Sequence, residues 1–456
     1  MDVSALLKDF AALREAQRME EALTVVDQAA SLAPRDARIA AMRAQLHFET
    51  GRPAAALFAA ALALAPDTLA ILRGSAAALS SEGQGPAAQL LLETSLEAHP
   101  DWLDGHKMLA SLRTVAGEGP RFARGYAEAC HAQPQNMALR LAWFHALALA
   151  RDWEGARTVI AEGERLLGTQ RGFTIAKIYI ASESGEGADD AALFDPVAEV
   201  QDAGLDLCHV RHALRGGRTA EAQTIAERHI GTATASIFWP YLSIIWRLLK
   251  DRRAEWLDGD GSLIRSFDLS FSAAELSILA ATLRQLHVMQ APYLEQSVRG
   301  GTQTDRPLFF SHDPVIQHAK ARVIGAVEDY VAALPALDPE HPLLGTARGP
   351  VRFEGSWSVL LKSQGYHSIH THPAGWISSA LYVSLPEPKQ MGEPPAGWIA
   401  FGKPPPELGL DLPAYAQIEP KLGRLVLFPS TMWHGTVPFD DGERLTIAFD
   451  VKRSTR

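Results

Sequence analysis

Cysteine is nearly absent: Cys130 and Cys208 are the only two in the chain. Two thiols form one disulfide at most, so a disulfide framework and a thiolate metal cluster are both excluded. Long apolar runs are also missing, and none approaches the roughly 18–20 residues that cross a bilayer. Basic residues are in deficit, 43 Lys and Arg against 53 Asp and Glu, for a net charge of −10. That balance argues against a nucleic-acid-binding surface, which shows a basic excess. The opening, Met1-Asp-Val-Ser-Ala-Leu-Leu-Lys-Asp-Phe10, has an acidic residue at position 2 and an amphipathic rhythm. A signal peptide is basic and then apolar. These absences describe a cytoplasmic protein with reduced thiols and with neither nucleic acid nor membrane as a partner.

What is present is a hydrophobic content of 47% over 456 residues, enough for two or more globular domains. In the front half proline recurs after an apolar helix end, at Pro34, Pro66, Pro100 and Pro134, with spacings of 32, 34 and 34 residues. A period of 34 closed by proline is the signature of tetratricopeptide (TPR) repeats. Proline cannot continue the preceding helix, so it punctuates each unit. Small-residue runs such as Pro53-Ala-Ala-Ala-Leu-Phe-Ala-Ala-Ala-Leu-Ala-Leu64 suit closely packed helices, and Gly51, Gly83 and Gly117 fall at the turns within pairs. The rhythm blurs after residue 140. Asp152-Trp-Glu-Gly-Ala-Arg-Thr-Val-Ile160 and Gly217-Arg-Thr-Ala-Glu-Ala-Gln-Thr-Ile225 still read as second helices of degenerate pairs. Such a stack offers a concave surface for a protein or peptide partner.

After about residue 265 the alanine richness falls. Two helical stretches, 273–296 and 314–334, precede strand-like runs at 351–361, 377–385, 398–401, 423–428 and 444–451. Short strands with glycine and proline turns point to a sandwich or jelly roll. In the last run Arg444, Thr446, Ala448 and Asp450 share one face, and Leu445, Ile447, Phe449 and Val451 share the other. In a double-stranded β-helix the apolar face would pack on helices, and Arg444 would point into a polar cavity.

Histidines gather ahead of that strand, in Tyr366-His-Ser-Ile-His-Thr-His-Pro373, and again 62 residues after His372 in Trp433-His434. Imidazole is the commonest ligand for divalent iron, copper and zinc, so His370, His372 and His434 are the candidate metal ligands. His367 reads as a surface or supporting residue, and Trp376, Trp398 and Trp433 as core aromatics. Arg444, ten residues past His434, offers the planar fork that matches a carboxylate. If the strand after His372 runs regularly, Ser379 shares the inward face with Leu381 and Val383. Ser379 is then the co-substrate contact, and Tyr382 packs outward or reaches a loop.

At these residues the chain resembles the iron(II)- and 2-oxoglutarate-dependent oxygenases. The resemblance rests on His370-Thr-His-Pro-Ala-Gly-Trp-Ile-Ser-Ser-Ala-Leu-Tyr-Val383, on Gly423-Arg-Leu-Val-Leu-Phe-Pro-Ser430, and on His434, Pro438 and Arg444, with a shorter echo in Gly301-Thr-Gln-Thr304. It covers roughly residues 290–456. It implies iron(II) as cofactor, 2-oxoglutarate and O2 as co-substrates, His370 and His434 as iron ligands, and Arg444 as the anchor of the distal carboxylate. His372 stands where the wider superfamily has Asp or Glu: it is either a ligand, which would leave the site neutral before co-substrate binds, or a bystander beside a water.

The expected architecture is a multidomain α + β chain. TPR-like helical repeats span 1–170 and degenerate repeats 171–265. A double-stranded β-helix (jelly roll) with buttressing helices spans 266–456. The expected activity is a dioxygenase that hydroxylates a peptide or protein side chain, or an amino-acid-like substrate, with the repeats binding substrate or partner. Three other readings remain: a cupin-like three-histidine enzyme without 2-oxoglutarate, a non-catalytic TPR scaffold, and a zinc hydrolase.

Overall fold

The computed structural model describes residues 2–259 and 261–454. Its front half is a run of helix hairpins: Val3–Glu15 with Met19–Leu32, Ala37–Glu49 with Ala55–Leu64, Leu69–Ser81 with Gly85–Ala98, Leu103–Val115 with Arg124–Ala132, and Met137–Leu149 with Trp153–Leu167. Pro34, Pro66, Pro100 and Pro134 each stand two residues past a helix end, at Leu32, Leu64, Ala98 and Ala132. Placed there, the ring closes the unit without breaking a helical hydrogen bond. Gly51, Gly83 and Gly117 take φ of 76°, 77° and 77° just after the first helix of a pair. That left-handed turn costs glycine least. Ala22, Ala29, Ala44, Ala61, Ala76 and Ala88 are all fully buried, so neighbouring helices approach closely. Farther on the pairing loosens through Arg171–Ser184, Ala203–Arg215, Thr219–Glu227, Ala235–Leu249 and Arg253–Asp258.

The strands are β1 Arg265–Asp268, β2 Val298–Gln303, β3 Phe353–His367, β4 Gly375–Ser384, β5 Ile399–Phe401, β6 Ala416–Ile418, β7 Arg424–Pro429, β8 His434–Thr436 and β9 Arg444–Lys452. They form a six-stranded sheet in the order β1-β7-β4-β9-β3-β2 and a three-stranded sheet in the order β6-β5-β8. Every pairing is antiparallel, and the two sheets make the double-stranded β-helix. Leu445, Ile447, Phe449 and Val451 of β9 and Leu425 and Leu427 of β7 pack in one core with Leu279, Leu283, Val323, Val327 and Tyr330. Those partners lie on helices Ala273–Arg284 and Pro314–Ala332, which buttress the larger sheet. The first of these helices stops at Arg284, short of the expected 296. Beyond it the Gln290 and Ala291 amides donate to the Val115 carbonyl of the repeats, at 3.1 and 3.3 Å.

The solenoid grips the β-domain at both ends. Near its start, Gln17 makes a two-way pair with the Phe353 backbone, donating at 2.7 Å and accepting at 3.0 Å. Near its finish, the Trp433 indole donates to the Pro240 carbonyl at 2.8 Å and meets Tyr241 edge-on. Arg247 donates to the carbonyls of Gly402 and Pro413. No helix among the described residues is long and apolar enough to cross a membrane.

Candidate active site

Two segments far apart in the sequence are tied backbone to backbone where the histidines stand. The His370 and His434 amides each donate to the other's carbonyl, at 2.9 and 3.0 Å, and the His372 amide donates to Ser430 at 2.9 Å. This isolated bridge extends β8 and brings the three rings together. Ring centroids are 4.3 Å apart for His370 and His434, 4.9 Å for His370 and His372, and 5.2 Å for His372 and His434. Their ligand atoms all lie within 4.8 Å of one another.

Each ring is oriented from behind. The Nδ1–H of His370 donates to the Ser368 carbonyl at 2.8 Å, that of His434 to the Met432 carbonyl at 3.0 Å, and that of His372 to Asp450 Oδ2 at 2.7 Å. Carbonyl and carboxylate oxygens only accept, so each Nδ1 carries a proton, and in the neutral ring the lone pair is left on Nε2. Burial, with the neighbouring imidazoles second, holds His370 and His434 well below the ordinary histidine range. Both are therefore neutral, the form that ligates a metal, at neutral pH. His367 lies beside the cluster. Its Nδ1 and His370 Nε2 both meet the Ser297 hydroxyl, at 2.9 and 3.2 Å, and burial pushes its pKa down to about 3.

Arg444 points into the same cavity, of about 330 Å³, whose lining includes the three histidines, Trp357, Tyr382 and Asp450. It is 1% exposed and donates to the Gly397 carbonyl at 2.8 Å and the Thr436 hydroxyl at 3.1 Å. No carboxylate among the described residues pairs with it, and its Nε has no partner. The Tyr382 hydroxyl, also buried, has none either. A buried cation without a counter-ion is costly, so the arrangement suits an incoming carboxylate. Three converging imidazoles suit iron(II), and the orphaned guanidinium and phenol suit a dicarboxylic keto acid.

Thr446, Ala448 and Asp450 line the cavity with Arg444 along β9. Strand β4 alternates as expected but turns the opposite face inward: Ala380 and Tyr382 line the cavity, and Ile377, Leu381 and Val383 lie in the core. Its pairing with β9 lapses between Ser378↔Asp450 and Leu381↔Ile447. In the gap the Ser379 hydroxyl donates to the Phe449 carbonyl and accepts from the Phe449 amide, both at 2.9 Å. Ser379 touches the cavity, but its hydrogen-bonding capacity is spent on the strand, while Leu381 and Val383 join the apolar core. Tyr382, expected to pack outward or reach a loop, lines the cavity, and its buried hydroxyl has no partner. Trp376 and Trp433 are buried in cores, and Trp398 is half-buried. Sequence reasoning passed over Ser297, Trp357 and the hydrogen bond from His372 to Asp450. Of these only Asp450 carried a signal, through the β9 alternation.

Residues 355–450 match the family described as "Putative 2OG-Fe(II) oxygenase". Among solved structures the chain is similar to a Pseudomonas putida prolyl-4-hydroxylase, at 17% identity and TM-score 0.29 over 42% of this chain and 94% of that one. It is similar to a tetratricopeptide repeat protein from Parabacteroides merdae at 13% identity and TM-score 0.34, over 55% of this chain and 98% of that one. HygX from Streptomyces hygroscopicus, solved with nickel and 2-oxoglutarate bound, gives 11% identity and TM-score 0.28 over 43% and 84%. No curated protein matches the sequence. The chain thus joins a TPR-like helical-repeat region to a C-terminal domain that matches the 2OG-Fe(II) oxygenase family and carries a three-histidine cluster.

Proposed function

We propose that the protein is an iron(II)- and 2-oxoglutarate-dependent hydroxylase whose substrate is a peptide or protein side chain presented by the repeats. The observation that carries this reading is the pairing, in one cavity, of a three-histidine cluster with a buried guanidinium that has no carboxylate. Iron(II) held by His370, His372 and His434 would supply oxygen activation, coupling decarboxylation of 2-oxoglutarate to succinate and carbon dioxide with hydroxylation of a substrate C–H bond.

The chain's own contribution is placement. Arg444 and Tyr382 would hold the far carboxylate of the keto acid, fixing its other end toward the histidines. The Nδ1 bonds to Ser368, Met432 and Asp450 keep the imidazoles aimed before any ligand arrives. Trp357 lines the cavity and stacks over His372, with ring centroids 5.7 Å apart and 7° between planes.

Support for a peptide comes from the repeats. A second cavity, of about 510 Å³, lies against helices 103–115, 124–132 and 137–149, and its lining includes Lys107, Tyr126, His145, Tyr179 and Glu295. Glu295 lines the active-site cavity as well, so the two spaces meet at one residue. An extended chain lying along the repeats would pass beside Glu295 on its way to the active-site cavity.

Succinate release with iron(II), 2-oxoglutarate and a degenerate peptide library tests the reading, with mass spectrometry for a gain of one oxygen. Lys107→Glu is expected to raise the peptide KM several-fold. Hydroxylation of a free metabolite with no peptide turnover would contradict the substrate assignment.

A further inference from the structure

We infer that Asp450 is a positioning residue that returns to the site, through His372, the negative charge a three-histidine cluster lacks. The inference rests on the reading that the cluster holds iron(II). In the common two-histidine-one-carboxylate site the carboxylate offsets part of the metal's charge directly. Here the third ligand position is an imidazole, which brings no negative charge, and the nearest carboxylate stands one residue farther out. Asp450 is absent from the group whose ligand atoms converge. It lies on the Nδ1 side of His372, opposite the lone pair.

Everything around Asp450 holds it there as an acceptor. Oδ2 takes the His372 Nδ1–H at 2.7 Å, and Oδ1 takes the Ser378 hydroxyl at 2.6 Å. The Ser430 hydroxyl lies 2.9 Å from that of Ser378. Asp450 and Ser378 face each other across the β4–β9 pairing, so two strands of the central sheet fix the carboxylate. Gly375 leaves the space it occupies: a Cβ there would stand 3.1 Å from Asp450 Cβ and 3.2 Å from its Cγ. The residue is 7% exposed, and no Lys or Arg among the described residues pairs with it. Arg444, the other buried charge of the cavity, is paired with neither Asp450 nor any other acid among the described residues. A buried anion whose sole charge partner is an imidazole is costly unless positive charge lies beyond that imidazole. A divalent metal on Nε2 is that charge. The carboxylate in turn makes the imidazole a stronger donor to the metal, and such supporting groups are worth about 10–100-fold in metal affinity.

The test is anaerobic titration of the full chain with iron(II) alone, with the iron(III)/iron(II) potential measured on the same samples. The isosteric variant Asp450→Asn keeps the shape and removes the charge. It is expected to weaken iron(II) binding by about 10–100-fold and to raise the potential. In the double variant His372→Asp with Asp450→Asn the carboxylate moves onto the metal, and affinity should exceed that of Asp450→Asn alone. Iron(II) binding within twofold of wild type and an unmoved potential in Asp450→Asn would overturn the inference while leaving the metal site intact. Failure of the wild-type chain to bind iron(II) is a different result, which removes the metal site and the inference together. If Asp450→Asn does not fold, Ser378→Ala takes its place, since it loosens the carboxylate without removing it. A loss of threefold or more with a raised potential supports the inference, and unchanged values overturn it.

Discussion

Arg444 and Tyr382 bring unpartnered polar atoms into one cavity, and each buried hydrogen bond left unmade costs about 1–3 kcal/mol. Tyr382→Phe should therefore stabilise the ligand-free protein by about 1 kcal/mol in chemical unfolding while weakening 2-oxoglutarate several-fold. A ligand saturating the pair should act oppositely on the wild type, adding about 2.7 kcal/mol at one hundred times its dissociation constant. His287 gives a pH prediction. Its ring meets the hydroxyls of Thr302 at 2.8 Å and Ser358 at 3.0 Å, and burial pushes its pKa down to about 4. A base depressed in the fold binds its proton more readily unfolded. Its contribution is complete above the unfolded value near 6.5 and is lost as the pH falls toward about 4. At pH 5 the loss is about 2 kcal/mol, and His287→Gln should flatten the acid limb of an unfolding-against-pH curve. At this scale the histidines and Arg444 were legible because spacing and strand alternation act over a few residues. Tyr382 was not. Alternation alone does not say which face of β4 turns inward: the register sets Ser378 opposite Asp450 and Tyr382 opposite Thr446, so Tyr382 shares the cavity face of β9.

The long strands were legible, as was the short β5 within the run at 398–401, but β1, β2, β6 and β8 were not. Strands β3, β4, β7 and β9 stand close to the runs read from alternation, since each buries a continuous apolar face. β6 and β8 have three residues each, too few for a period to declare itself, and they exist because β5 pairs with both. β2 was masked by its glycines. Gly301 lies so close to β3 that a Cβ would stand 2.1 Å from the Leu360 carbonyl oxygen and 2.9 Å from Leu361 Cα. Gly301→Ala should push β2 off the sheet edge, at a cost of about 1–3 kcal/mol from overpacking, with faster amide exchange confined to β2 and β3. Unchanged exchange in β2 would contradict that close approach.

At the scale of the whole molecule the repeats are fastened to the oxygenase domain at both ends, a feature invisible in the sequence. Gln17 and Phe353 lie 336 residues apart, and Pro240 and Trp433 lie 193 apart. The period of 34 reveals the solenoid, but only tertiary packing decides what it wraps. Trp433 joins Tyr241, Trp246 and Leu408 in a core shared by the repeats and the β-domain, next in sequence to His434. Trp433→Ala should cost about 3–5 kcal/mol and weaken metal binding in the same variant, because the cavity opens beside a ligand. Loss of stability with unchanged metal affinity would show that the repeats are not coupled to the site. The most direct test of the three-histidine, keto-acid reading is anaerobic addition of iron(II) and then 2-oxoglutarate, followed by visible absorption. A metal-to-keto-acid charge-transfer band is expected, lost in His434→Ala and weakened in Arg444→Ala. Iron(II) bound by the histidines with no band on adding 2-oxoglutarate would contradict it.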